Sequence, residues 1–426
     1  MARRSLAATM PAKLWMLSAG LVLLSLAWGA LGGWTVSQHA SAASDVVHVD
    51  EPLALAAQQM YESISDADVT ATTTFLSGPE PPLAPLQRYR ADVAGAAADL
   101  ARLKNAADGN QSLTTALTAF SAGLPVYTGY VAQAQTEYAL GYPLTGGSFM
   151  QVASEEAHLV LLPAARTIYT LQDAALTAAS SQATGLPLVI VAGVLAVVTG
   201  IALYRTQRWL TRRTHRVFNY GLVTASAALI VSVVWLLVTF AVARSDLVQG
   251  IGHGSRPAGT LAQASIDVQQ ARGDEILNLI SRSGDTSFEQ NFQSVRDQIG
   301  PGAGTLLTVA ASASRGQSVA HVTAAARDAA GWYSANEQVY RLDLAAAYAA
   351  ETKLVIGTGP GSSAAGYTQL ESDISRAIAD DHSTFQSSAA AGASAFGPLE
   401  GVLIAAALLM AGACVWGLSR RLGEYR

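Results

Sequence analysis

Cysteine is nearly absent. The chain of 426 residues holds one, Cys414, so an intrachain disulfide is impossible and a CxxC or cysteine-based zinc site is excluded. Histidine is scarce too. The seven histidines are scattered, with no HExxH or paired spacing, which leaves a metal enzyme without support. Charge is low: 13% of residues are charged against 50% hydrophobic, and mean hydropathy is positive. That balance points to membrane spans. No Ser–His–Asp order or carboxylate dyad stands out. The chain therefore reads as a non-enzyme with no catalytic residue, cofactor or metal, and no nucleic-acid partner is expected.

What is present is four apolar runs, each about as long as the ~20 residues that cross a bilayer core. They lie at 14–36, 186–204, 220–242 and 398–418. The first has Arg3, Arg4 and Lys13 ahead of it and a small-residue stretch behind it, as a cleaved signal peptide would. It is longer than a signal core, and the third run occupies the matching place in an internal repeat, so a retained span is expected.

Basic residues then orient the spans, because lysine and arginine gather on the cytoplasmic side of short loops. Residues 1–13 carry three, 205–219 carry five (Arg205, Arg208, Arg212, Arg213 and Arg216) and no acid, and 419–426 carry three. Both termini and the short loop are expected in the cytoplasm, with 37–185 and 243–397 outside. The basic loop is an anchor on anionic membrane lipid or, in a sharper reading, a docking patch for a cytoplasmic partner through Arg208, Arg212 and Arg213.

The two halves repeat at an offset of 206 residues: Leu55 and Leu261, Asp68 and Asp274, Arg90 and Arg296, Leu100 and Leu306, Tyr127 and Tyr333. Beyond Tyr138 the offset becomes 218, pairing Gln151 with Gln369 and Ser154 with Ser372. A repeat of this kind sets the architecture: two copies of span, extracytoplasmic segment, span.

Within those segments apolar residues recur at helical spacing, as in Leu113, Leu117, Phe120, Leu124, Tyr127, Val131, Ala134 and Tyr138. Tyr367, Leu370, Ile374, Ala377 and Phe385 form a similar stripe with a polar interruption at Asp381. Turn signals at 77–82, 108–110 and 141–147, and at 283–287, 314–318 and 357–366, divide each segment into four helices. The expected fold is all-α: four transmembrane helices and two tandem extracytoplasmic four-helix bundles. The proline and glycines at 300–304 should kink or break the second helix of the second copy, and Pro125 and Pro163 are candidates to bend helices of the first. The 12 extra residues of the second copy should lengthen its third hairpin and push a glycine-rich tip outward.

Asp68/Asp274, Arg90/Arg296, Tyr127/Tyr333 and Glu155/Asp373 recur in register. The commoner outcome for each is a solvated charge or a core aromatic kept by duplication. In the functional reading Arg90 or Arg296 faces a gap between helices and captures a carboxylate, with Tyr127 and Tyr333 beside it, since the guanidinium fork suits that geometry. The segments themselves are acidic, 14 acids against 5 bases in the first and 15 against 10 in the second, which repels small anions at long range. Trp332, away from the spans, is expected in a core.

The span–bundle–span module resembles the sensor domains of bacterial chemoreceptors and sensor histidine kinases, without their cytoplasmic output. The tandem form, with four spans and about 36 cytoplasmic residues, resembles the actinobacterial GlnX-type membrane proteins. The resemblance rests on layout over nearly the whole chain. It implies partnership with a glutamate/aspartate-binding solute lipoprotein outside and the soluble serine/threonine protein kinase G inside. A transmembrane signal transducer is the expected function, with homodimers an open option. A passive scaffold is the alternative. A transporter subunit is weaker, because the spans lack the charged or broken features of a midplane site.

Overall fold

A computed structural model describes residues 10–78, 83–107, 109–214, 219–281, 287–300 and 302–423. Every element among them is helical. In chain order these are α1 (Met10–Asp45), α2 (Glu51–Leu76), α3 (Leu83–Asn105), α4 (Gln111–Ala139), α5 (Pro143–Glu156), α6 (Leu162–Ala183), α7 (Pro187–Thr214), α8 (Tyr220–Gly250), α9 (Arg256–Ser281), α10 (Ser287–Ile299), α11 (Leu306–Ala313), α12 (Gln317–Leu344), α13 (Tyr348–Ile356), α14 (Ser363–Ala395) and α15 (Leu399–Gly423).

Three single π turns, at Val46–Asp50, Ala157–Leu161 and Ile251–Ser255, join α1 to α2, α5 to α6 and α8 to α9. A proline follows each: Pro52, Pro163 and Pro257. Its ring would strike the carbonyl four residues back, at His48, Leu159 or His253, and it has no N–H to give. Each of those carbonyls belongs to the π turn, and the wider turn removes the clash without ending the helix. The backbone is therefore helical without interruption over 10–76 and 220–281, whereas it leaves the helix at 184–186 and 396–398. Pro125 also stays inside its helix, α4.

The chain divides into two compact units. The first holds residues 1–46, 179–248 and 388–426, where α1, α7, α8 and α15 supply the four helices long and apolar enough to cross a membrane. Trp28 is fully buried there, and its indole N–H donates to Ser232 Oγ at 3.2 Å. Small residues bring backbones together, as they do between membrane helices. A Cβ on Gly221 would stand 2.4 Å from the Ala413 carbonyl oxygen and 2.5 Å from Gly417 Cα. Leu23, Val197, Ile230 and Leu408 point outward, a surface fit for lipid. Overpacking costs ~1–3 kcal/mol where side chains can yield. Here the obstacle is backbone, so Gly221→Val should sharply lower the melting temperature of the detergent-solubilised chain. Gly193→Ala, with nothing within 4 Å of the added carbon, should leave it unchanged.

The second unit holds residues 47–178 and 249–387, and a single core runs through both sequence repeats. The tandem bundles expected from the sequence are thus fused: α2 packs on both α3 and α9, and α5 also meets α9. The seam of α4 is buried as its spacing requires, from Leu113 through Ala134. Asp381, the polar interruption in α14, is fully buried and accepts from Ser314 Oγ at 3.0 Å.

Two expectations are corrected. The second helix of the second copy does break, between Ile299 and Leu306, but the extra residues downstream do not lengthen a hairpin. They form α13, whose Val355 is buried with Ile276, Leu279 and Val339, because an apolar face on so short a helix finds cover only by folding back. The basic stretch is not mainly loop either. Helix α7 runs to Thr214, since arginine is a good helix former and suits a helix C-terminus. Residues 215–218 of that stretch, 79–82, 108 and 283–286 of the turn signals, and 301 of the segment at 300–304 lie outside the described residues.

Candidate functional site

A cavity of about 340 Å³ opens in the second unit, between the two repeats. Helix α2 contributes Asp66, Thr70, Thr73 and Thr74; α3 contributes Arg88; α9 contributes Arg272; α14 contributes Tyr367, Thr368 and Glu371. Arg88 donates to Asp66 Oδ2 at 3.0 Å and lies 4.0 Å from Asp92. The Tyr367 hydroxyl donates to Asp66 Oδ1 at 3.5 Å. Acids outnumber the bases free to answer them. Burial, then the charge of Asp66, raise the Glu371 carboxyl against the pull of Ser375 and Arg88. Burial pushes Glu62 up to about 7; its hydrogen bond from Gln58 opposes this, and the charges of Glu371 and Asp66 add to it. Asp92 rises to about 6 through burial and the charge of Asp66, against Arg88.

Arg272 is held from behind. Its side chain is 1% exposed. Nη1 pairs with Glu275 and donates to Ser363 Oγ at 3.2 Å, and Nη2 donates to the Val355 carbonyl at 3.0 Å. Ser363 Oγ lies 2.6 and 2.7 Å from the two Glu275 oxygens and accepts from Trp332 Nε1 at 2.9 Å. Asn336 Nδ2 donates to Glu275 Oε1 at 3.2 Å. This knot ties α9 to α12, α13 and α14. Trp332 is a core residue, as expected.

A third cluster crosses from one repeat to the other. The His158 ring, on the π turn after α5, sits between Asp68 of α2 and α9. Its Nε2 is 3.3 Å from Asp68 Oδ2, which also accepts from Ser154 Oγ at 2.8 Å. The ring lies so close to α9 that a Cβ on Gly273 would be 2.7 Å from its Cε1. Burial alone would lower the His158 pKa, but the hydrogen bond to Asp68 and the charges of Asp68 and Asp274 outweigh it, and the pKa is raised. Burial lifts Asp274 to about 6, opposed by the charge of His158 and a hydrogen bond from Asn291.

The repeated residues thus have unequal fates. Asp68 and Asp274 both act on His158. Tyr127 and Tyr333 are core, 0% and 6% exposed, and neither hydroxyl has a partner. Arg90 is exposed on α3, and Arg296 bonds to Gln293 and Glu337 at the surface. Neither arginine lines the cavity; Arg88 and Arg272 do. Arg208 and Arg212 are exposed near the end of α7, and the Arg213 side chain lies outside the described residues. Sequence reasoning missed His158, Arg272 and Glu275. The i,i+3 spacing of the last two was the one available signal.

Residues 42–181 match the family model of the actinobacterial sensor domain. They span α2 to α6, including the Asp66, Thr74, Arg88 and His158 contributions. No curated protein matches the chain. No solved structure matches it either. The sensor-domain match and the four apolar helices support a multi-pass membrane sensor of actinobacterial type.

Proposed function

We propose that the chain is a non-enzymatic transmembrane signal transducer of the cell membrane. The second unit stands outside and receives a solute signal through an amino-acid-loaded binding lipoprotein. The basic end of α7, held against anionic lipid, informs a separate cytoplasmic effector such as a serine/threonine kinase. The observation that carries this reading is the single core built from both repeats, with polar contacts between them at the cavity and at His158. A partner that engages one repeat shifts the other as well, and a relay needs only a few kcal/mol of differential binding. The unbroken helical stretches 10–76 and 220–281 favour transmission along α1–α2 and α8–α9. Helix α6, by contrast, ends at Ala183, before Gly185.

The test uses the full chain in nanodiscs and a glutamate-binding lipoprotein with and without its amino acid. Tighter binding of the loaded form, by about tenfold or more, supports the relay; equal binding makes the protein a scaffold. On the inner side, Arg208, Arg212 and Arg213 are replaced together by glutamine. Retained topology with lost phosphorylation of the effector's substrates is the expected result. Unchanged phosphorylation removes the docking role.

A further inference from the structure

We propose that the cavity between α2, α3, α9 and α14 binds a small organic ammonium compound, its charged head seated between Asp66 and Glu371. The proposal rests on the sensor reading above for its meaning, and it names a solute class that enters the fused unit directly.

Hydrogen-bond commitments decide the chemistry. The hydroxyl protons that line the wall are mostly spent on their own helices: Thr73 on the Val69 carbonyl at 2.7 Å, Thr368 on Ala364 at 2.8 Å and Ser77 on Thr74 at 2.7 Å. Their lone pairs remain. Arg88 is engaged by Asp66 and faces Asp92, and Arg272 is engaged by Glu275, Ser363 and Val355. Among the described donors at the cavity this leaves the Arg272 Nε–H and the Thr74 hydroxyl, both buried without a partner, and the hydroxyls of Thr70 and Thr358. Charge decides between ligands: Arg88 answers Asp66 and Glu275 answers Arg272, while Glu371 forms no ion pair among the described residues. An ammonium, with three donors, finds that carboxylate, the remaining lone pairs of Asp66 and several hydroxyl oxygens.

An independent observation points to an occupant. Thr74 lines the cavity and is 4% exposed, and its hydroxyl has no partner. A buried polar group left unpaired costs free energy, and a ligand atom would supply the partner. The volume lies within the range of small-molecule sites. Charge agrees: a cation between Asp66 and Glu371 relieves the repulsion that helps raise the Glu371 carboxyl. Val69 and Ile356, also at the wall, accommodate a short apolar body.

The experiment is calorimetric titration of the full chain in nanodiscs of phosphatidylcholine, which avoids cation binding to anionic lipid. Ethanolamine and putrescine are the probes, with glutamate and acetate for contrast. Saturable binding of an ammonium probe is expected, weakened at least about tenfold by Glu371→Gln and several-fold by Thr74→Val. Glu337→Gln, at the surface beside Arg296, should leave it unchanged. If Glu371→Gln melts early, Thr74→Val decides. No saturable binding of either probe, equal affinity in Thr74→Val, or preference for glutamate overturns the proposal. Binding without any effect on the effector would defeat the relay and leave the site standing. An effector response with no ammonium binding would do the reverse.

Discussion

Replacing Arg272 by methionine is expected to lower the melting temperature of the full chain by roughly 6–20 °C. Removing one member of a buried ion pair costs about 3–5 kcal/mol, because the other charge stays buried and unpaired. For units of this size each kcal/mol shifts the midpoint by ~2–4 °C. Glu275 would be the stranded charge, 1% exposed and left with Ser363 and Asn336. The Val355 carbonyl would also lose its donor, which loosens α13. The double variant Arg272→Met, Glu275→Leu should recover about half of the loss or more, since a buried pair exchanged for apolar residues is often close to neutral. Additive losses in the two single variants and their combination would mean that the pair is not coupled.

Acidification from pH 8 to 5.5 should stabilise the second unit, against the habit of proteins whose carboxylates are salt-bridged. Glu62 is raised to about 7, and Asp92, Asp274 and Asp381 to about 6; burial is the leading cause in each case. The folded unit binds these protons more tightly than the unfolded chain does. Stability is then lost as pH rises from the ordinary carboxyl range near 4 through the folded values of 6 to 7. His158, raised through Asp68 and Asp274, has the same sign: its contribution is full below the ordinary histidine value and fades as pH climbs past the folded one. Each pKa unit corresponds to about 1.4 kcal/mol, so several groups together should move the midpoint by several degrees. Melting curves of the full chain between pH 5.5 and 8 give the slope. Asp274→Asn should flatten it, and a rise in stability toward pH 8 would contradict the assignment of these groups as buried proton holders.

Much of the helical architecture was legible because its cause is periodic. The α4 seam from Leu113 to Ala134 is buried residue by residue, and the glycine-proline segment at 300–304 separates α10 from α11. The site was less legible for a physical reason. Residues that recur in both repeats tend to be those each copy needs for its own core, as Tyr127 and Tyr333 show. The cavity lies between copies, so its residues need not recur. Arg88 and Arg90 are two positions apart on a helix and so face nearly opposite ways. The register selects Arg90, the repeated one, while Arg88 meets Asp66. Arg272 and Glu275 gave only a local spacing; their partners come from three other helices that no pattern on α9 announces. Asp68 and Asp274 are the exception, because they come together around a histidine that belongs to one copy alone.

The most direct measurement is single-cysteine labelling of intact cells with a membrane-impermeant maleimide. The native Cys414 is buried and can be replaced by serine to give a silent background. Leu144→Cys places a thiol on the second unit at a position 88% exposed, and Arg208→Cys places one at the exposed basic end of α7. A sensor that faces outward and reports inward requires labelling at 144 in intact cells, and at 208 only after permeabilisation. Labelling at 208 from outside, with 144 protected until the cells are opened, would contradict it.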